Sequence, residues 1–228
     1  VEITLYGATR ETYEKVTGIP DSFDRCMRGI DLLLERGITL NLKSILLTIN
    51  IHELPLMRSF AEQRGLEFRY DGNLWPRLDG SCKPYENRLS IQQMISLDDE
   101  DPNRQKEWVR ISQQFSGDAS RTEYVYTCGA GLWSFNISSL GQLSICGMAR
   151  LTTFDLRQLS FAEAWRQVGD LRKLKRVIDN KCRSCTLGGF CEQCPGWSQI
   201  VHGDNETPVE FLCELAHLRA DRVKKSII

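Results

Sequence analysis

The stretch Leu40-Asn41-Leu42-Lys43-Ser44-Ile45-Leu46-Leu47 decides the fold class. Leu40 and Leu42 alternate with Asn41 and Lys43, the period of a strand with one face on a core. Upstream, Phe23, Met27, Ile30, Leu33 and Leu34 share one face of a helix that Gly37 closes. Before it, Val1–Leu5 reads as a short strand and Tyr6–Ser22 as a loop. Downstream, Leu54, Met57 and Ala61 predict a helix near Ile51–Arg64 that stops at Gly65, and Phe68–Asp71 reads as a third strand. Strand, helix, strand, helix, strand at these lengths is the pattern of parallel βα units.

Parallel strands buried on both faces read as continuous apolar runs, yet these carry polar residues at alternate positions: Glu2, Thr4 and Tyr6, then Asn41 and Lys43, then Arg69 and Asp71. One sheet face therefore looks at something polar. Two readings stay open: the lumen of a partial barrel that holds a charged ligand near the strand C-termini, or an ordinary solvated face.

The chain has 228 residues, enough for one large domain or two smaller ones. With 41% hydrophobic residues, 26% charged residues and a net charge of −1, its composition argues against disorder and against electrostatic wrapping of nucleic acid. The best apolar run, Ile45–Ile51, is interrupted by Thr48 and Asn50, so no membrane span is expected. Val1 begins what reads as a strand already under way, which leads us to expect a fragment of a longer protein.

After Phe68–Asp71 the chain becomes turn-rich, interrupting a short helix opened by a capping-box pattern at Ser90-x-x-Gln93, and the stretch reads as a connector between two domains. A second capping box, Ser160-x-x-Glu163, opens a helix with Phe161, Ala164, Trp165, Val168, Leu171 and Leu174 inside. Arg166, Arg172, Lys173, Lys175 and Arg176 give it a basic face, read first as solvated and second as offsetting an anionic group nearby.

Seven of the nine cysteines lie between Cys128 and Cys213, and four of them within the thirteen residues Cys182 to Cys194. The pattern is Cys128-x12-Gly141-x4-Cys146, a gap of 35 residues, Cys182-x2-Cys185-x5-Cys191-x2-Cys194-Pro195, and finally Cys213. Thiols at x2 spacing converge on one centre, and a soft, thiolate-only set selects zinc or iron–sulfur clusters over hard metals. Zinc ribbons separate such pairs by roughly 15 to 20 residues. Here the separation is five, with Gly188 and Gly189 inside it, a tight loop better suited to wrapping a cubane. Seven thiolates fall one short of the eight that two fully thiolate-bound 4Fe–4S clusters require. Iron–sulfur leads on spacing; zinc, and disulfides or free thiols, stay open. Cys26 reads as a core residue and Cys82 as a free thiol or an eighth ligand. His52, His202 and His217 have no partner at metal-ligand spacing, and His202 is a minor candidate for an open iron position.

These residues carry a family resemblance. Ile3-Thr4-Leu5-Tyr6-Gly7-Ala8-Thr9 with Tyr13, Lys43 and Asn50, and Phe68-Arg69-Tyr70-Asp71 with Pro76–Gly80, resemble the later barrel strands of radical SAM enzymes. Cys128-Gly129-Ala130-Gly131, Gly141, Cys146, Phe161-x3-Trp165 and Cys213-x3-Ala216-x2-Arg219-Ala220 resemble the SPASM module that follows such barrels. The chain thus resembles the C-terminal two-thirds of a radical SAM/SPASM enzyme.

The resemblance implies an α/β fold: part of a TIM-type (βα) barrel over residues 1–88, a connector over 89–125 and a small cysteine-rich, iron–sulfur-binding domain over 126–228. It implies S-adenosylmethionine, with Thr4 facing the nucleoside and Gly7 allowing close approach, and two auxiliary 4Fe–4S clusters. Cys128, Cys146 and Cys194 would hold the first, and Cys182, Cys185, Cys191 and Cys213 the second. It also implies 5′-deoxyadenosyl radical chemistry on a peptide or protein substrate, with the auxiliary clusters transferring an electron or ligating the substrate. A reductant such as flavodoxin or ferredoxin and a cytoplasmic location would follow, with no nucleic-acid or membrane partner. Two departures stand out: Glu192-Gln193 gives two residues where the family commonly has three, and the CxxxCxxC motif of the SAM-cleaving cluster is absent, so the fragment alone is expected to be inactive. The rival expectation is a non-catalytic zinc-binding or dicluster electron-transfer module.

Overall fold

A computed structural model describes residues 1–114 and 123–227. They form two compact units, one of Val1–Trp75 and Cys82–Ser90, the other of Pro76–Ser81 and Ile91–Ile228.

The first unit is α/β. Strands β1 (Glu2–Thr4), β2 (Asn41–Ile45) and β3 (Phe68–Asp71) pair in parallel in that order, with Thr4 opposite Lys43 and Lys43 opposite Arg69. Helices α1 (Arg10–Thr17) and α2 (Ser22–Glu35) lie between the first two strands, and α3 (Leu54–Glu62) between the last two, entered through a 3₁₀ turn at Ile51–Glu53. Ile30, Leu40, Leu42 and Ala61 form the core, with Ile3, Met27, Leu33, Phe60 and Phe68 packed on it and Cys26 among them. Gly37 and Gly65 end their helices with φ of +65°, a conformation that costs glycine least.

On the opposite sheet face the alternate polar residues meet across strands: Glu2 accepts from Arg69 at 2.6 Å and pairs with Lys43 at 2.8 Å. Hydrogen bonds from Arg69 and Lys43 hold the Glu2 carboxyl at a pKa of about 2. The three strands form an open parallel sheet, so the observed architecture is α/β. Helix α1 falls in the stretch read as a loop. Its buried residues are only Thr12 and Tyr13, so it has no apolar stripe to betray it; Thr9 caps it by accepting from Thr12 N at 3.3 Å.

In the second unit, α4 (Ile91–Glu100) and α5 (Pro102–Gln114) pack with α8 (Glu210–Ile227). Both helices fall in the stretch read as a connector, α4 beginning where the Ser90 capping-box pattern predicts a short helix and α5 not anticipated; residues 115–122 of that stretch lie outside the described residues. A small antiparallel meander follows, β4 (Asn136–Ile137), β5 (Gln142–Ser144) and β6 (Thr153–Asp155). It packs on α6 (Phe161–Leu171) around Val125, Tyr126, Leu143, Ile145, Ala164 and Val168. Phe161 and Leu174, placed inside by periodicity, are 45% and 42% exposed; Phe161 stacks on Trp165 at the surface, and Leu174 lies past the helix end. The capping box is complete: Ser160 Oγ accepts from Glu163 N at 3.3 Å, and Glu163 Oε2 accepts from Ser160 N at 3.0 Å. Ser160→Ala is expected to cost about 1 kcal/mol, read as a lower urea midpoint at unchanged slope. Helix α7 (Pro195–His202) completes the unit. Among the described residues no helix is long and apolar enough to cross a membrane.

Candidate metal centre

All nine cysteines are thiols, and the seven from Cys128 to Cys213 lie in the second unit, where they gather in two groups.

The first group is Cys128, Cys146 and Cys194. Cys146 follows β5, and its Sγ accepts from Ala149 N at 3.2 Å. Cys194 caps α7, its carbonyl accepting from Ser198 N at 3.0 Å, with Pro195 in the first turn where its missing N–H costs nothing. Gly196 lets α7 lie against the loop after Cys146: a Cβ there would sit 2.7 Å from Met148 Cβ and 2.9 Å from Ala149 N. The exposed Cys128 is held by Arg172, which donates from Nη1 to the Cys128 carbonyl at 2.7 Å and also to that of Ala130. Arg172 of the basic face therefore has a local task. Burial pushes the Cys194 thiol up to about 11, and the neighbouring Cys146 and Cys128 add to the shift. Tyr126 is buried beside the same three sulfurs, its hydroxyl raised to about 12 by burial first and Cys146 next; it accepts from Gln199 Nε2 at 3.2 Å. Neither Tyr126 nor Gln199 stands at a spacing that marks it in the sequence.

The second group is Cys182, Cys185, Cys191 and Cys213. A 3₁₀ turn at Lys181–Ser184 carries Cys182, with Asn180 Oδ1 accepting from Cys182 N at 3.0 Å, and Cys185 Sγ accepts from Leu187 N at 3.4 Å. Gln193 clips this loop to the start of the helix that bears Cys213: it donates to Val209 O at 2.8 Å and accepts from Val209 N at 3.0 Å. The four sulfurs line a cavity of about 310 Å³ together with Thr127, Arg176, Lys181 and His217. Burial pushes Cys191 up to about 11, with Cys182, Cys185 and Cys213 contributing, and burial also raises Cys182. His217, one helical turn after Cys213, also lines this cavity, although the sequence reading gave it no partner. His202, by contrast, lies exposed at the end of α7.

Among the described residues no three His, Cys, Asp or Glu side chains converge closely enough to hold one metal ion. The thiols instead surround space, which suits a group larger than an ion. Such a group requires thiolates, so loading would release protons, including those that burial holds on Cys182, Cys191 and Cys194.

In the first unit Thr4 ends β1, half-buried, and Gly7 is buried. A Cβ on Gly7 would lie 2.8 Å from Thr12 Cγ2 and 2.9 Å from Tyr13 N, so the start of α1 itself requires glycine there. Two buried side chains beyond β2 pin this loop. Asn50 donates from Nδ2 to Tyr6 O and Ile45 O, each at 3.0 Å, and accepts from Leu47 N at 2.7 Å. Glu53 accepts from Ala8 N, Thr9 Oγ1 and Thr12 Oγ1, each at 2.6 Å, and from Thr9 N at 3.1 Å. Cys82 is exposed in this unit.

The chain resembles AdoMet-dependent haem synthases. The protein of that name from Methanosarcina barkeri is 21% identical over 90% of this chain and 64% of its own length. Those from Nitratidesulfovibrio vulgaris and Oleidesulfovibrio alaskensis are 21% and 22% identical over 89% and 84% of the chain, and 61% and 55% of their own lengths. The chain thus spans less than two-thirds of each relative. No family model matches it.

Proposed function

We propose that this chain is part of a radical SAM enzyme, and that its second unit holds two auxiliary 4Fe–4S clusters, one on Cys128, Cys146 and Cys194 and one on Cys182, Cys185, Cys191 and Cys213. The carrying observation is the gathering of seven thiols into a group of three and a group of four around a cavity. The similarity to AdoMet-dependent enzymes over nine-tenths of the chain supports the enzyme reading. Such clusters supply one-electron transfer and, where an iron lacks a protein ligand, a position open to substrate. The chain's own residues hold and enclose them: Gln193 and Asn180 fix the loop, Arg172 fixes Cys128, and burial of Cys191 and Cys194 limits water. In the first unit Thr4 and the Gly7 loop, preset by Asn50 and Glu53, would form one wall of a partial barrel for S-adenosylmethionine.

For the substrate, a peptide or protein side chain is the reading that the SPASM resemblance supports. The relatives' name favours a second, a haem precursor. Binding of an iron porphyrin, read by its Soret band, separates the two.

Iron, labile sulfide and zinc per chain after anaerobic purification test the reading. About seven to eight irons with matching sulfide are expected. One or two zincs without sulfide would replace the reading by a zinc-stabilised binding module.

A further inference from the structure

Among the described residues, Arg176 in the cavity of the four-thiol group has no carboxylate at salt-bridge distance. Arg176 lines it beside Cys182, Cys185 and Cys191, and also lines a small cleft with Cys182, Cys194 and Glu206, so it borders cysteines of both thiol groups. Its Nε is buried and has no hydrogen-bond partner. The other charged residues lining these spaces are engaged. Lys181 pairs with Glu210 at 2.6 Å, and Glu206, which lines the same cleft, accepts from Val177 N at 3.0 Å and Ile178 N at 3.2 Å. A buried donor left unsatisfied carries its full desolvation penalty, so Nε calls for a partner that the polypeptide does not provide.

We infer that Arg176 is a charge and hydrogen-bond donor to the cluster on Cys182, Cys185, Cys191 and Cys213, and that it raises that cluster's reduction potential. This rests on the cluster reading above. A cubane with four thiolates carries net charge −2 when oxidised and −3 after gaining one electron. A fixed cation, which arginine remains at every accessible pH, therefore stabilises the reduced form more, and an N–H···S bond acts in the same direction. No bond is made or broken; one electron arrives from an external reductant. Because Arg176 also borders Cys194, its charge lowers the cost of holding two anionic centres close together.

The test is an EPR-monitored titration with dithionite as the reductant, on the full chain reconstituted with iron and sulfide. The couple of the four-thiol cluster is identified by its loss in Cys185→Ala. Arg176→Met is expected to lower the ratio of reduced to oxidised cluster at least ten-fold at fixed potential, about 59 mV for a one-electron couple, with iron content unchanged. Arg176→Lys, which keeps the charge, should recover most of the loss. A ratio within two-fold of wild type in loaded Arg176→Met overturns the inference. Should Arg176→Met lose iron, Arg176→Gln decides: it must lower the ratio three-fold or more with Arg176→Lys closer to wild type, and an unchanged ratio in loaded Arg176→Gln overturns the inference. Zinc without sulfide in the wild-type chain would instead defeat the cluster reading itself.

Discussion

Glu53→Gln is expected to destabilise the first unit by about 3 kcal/mol, the order found when a buried charge loses its hydrogen bonds. The carboxylate of Glu53, a residue 4% exposed, accepts four hydrogen bonds from Ala8, Thr9 and Thr12 of the β1–α1 connection and the start of α1. Glutamine presents one oxygen and two N–H donors, so it either sets its amide against the Ala8 and Thr9 N–H groups, donor against donor, or turns the two threonine hydroxyls into acceptors, and in both cases the charge-assisted bonds are lost. Burial alone would favour the protonated acid, but hydrogen bonds from Thr12, Thr9 and the Ala8 and Thr9 N–H groups outweigh it and hold the carboxyl below the usual carboxylate range. A group with a lowered folded-state pKa contributes stability that is present above its unfolded value, about 4.3, and is lost as pH falls through the folded value. Wild type and Glu53→Gln should therefore differ most near neutrality and converge in acid. Urea unfolding at several pH values, with amide exchange at Ala8 and Thr9, reads both effects. A difference that stays flat with pH would mean the carboxylate charge is not what pins the loop.

Gly196→Ala is expected to halve the iron content, from about eight to about four per chain, while the four-thiol cluster still loads. The added methyl meets Met148 and the Ala149 backbone N at under 3 Å, and backbone cannot rotate away as a side-chain tip can. Helix α7 must back off. It carries Cys194 at its cap and fully buried Trp197 in its first turn, and the displaced Ala149 N–H is the one that hydrogen-bonds the Cys146 sulfur. Two of the three sulfurs therefore move at once. Overpacking of this kind costs about 1–3 kcal/mol, which leaves the rest of the unit folded. Iron and sulfide analysis beside Cys185→Ala, which should lose the other cluster, checks the assignment; full loading of Gly196→Ala would show that the α7 contact does not set the site.

The parallel strands are legible in the sequence because each has one face on the α2–α3 core and one that is polar, so alternation survives at Glu2, Thr4, Lys43 and Arg69. Helix α1 is not, because a helix that buries only Thr12 and Tyr13 leaves no periodic trace. The thiols are legible from spacing alone. Arg176, Tyr126 and Glu53 are not: Glu53 takes its partners from 41 to 45 residues upstream, and no local pattern encodes a contact at that separation. Arg176 looks like one more charge on a basic face until its buried Nε is seen to lack a partner.

Arg219 on α8 is 3% exposed and reaches three ways: Asp98 of α4 at 2.8 Å, Glu192 between two cysteines at 2.6 Å, and the face of Trp108 on α5 at 4.0 Å. The loop from Cys182 to Cys194 is thus braced by helices that precede every cysteine of the two groups. For anyone dissecting the protein, the cut that yields a minimal cysteine-bearing piece falls ahead of Ile91. A fusion or truncation begun at the first of the seven cysteines would discard Asp98 and Trp108 and strand a buried guanidinium with half of its counterions.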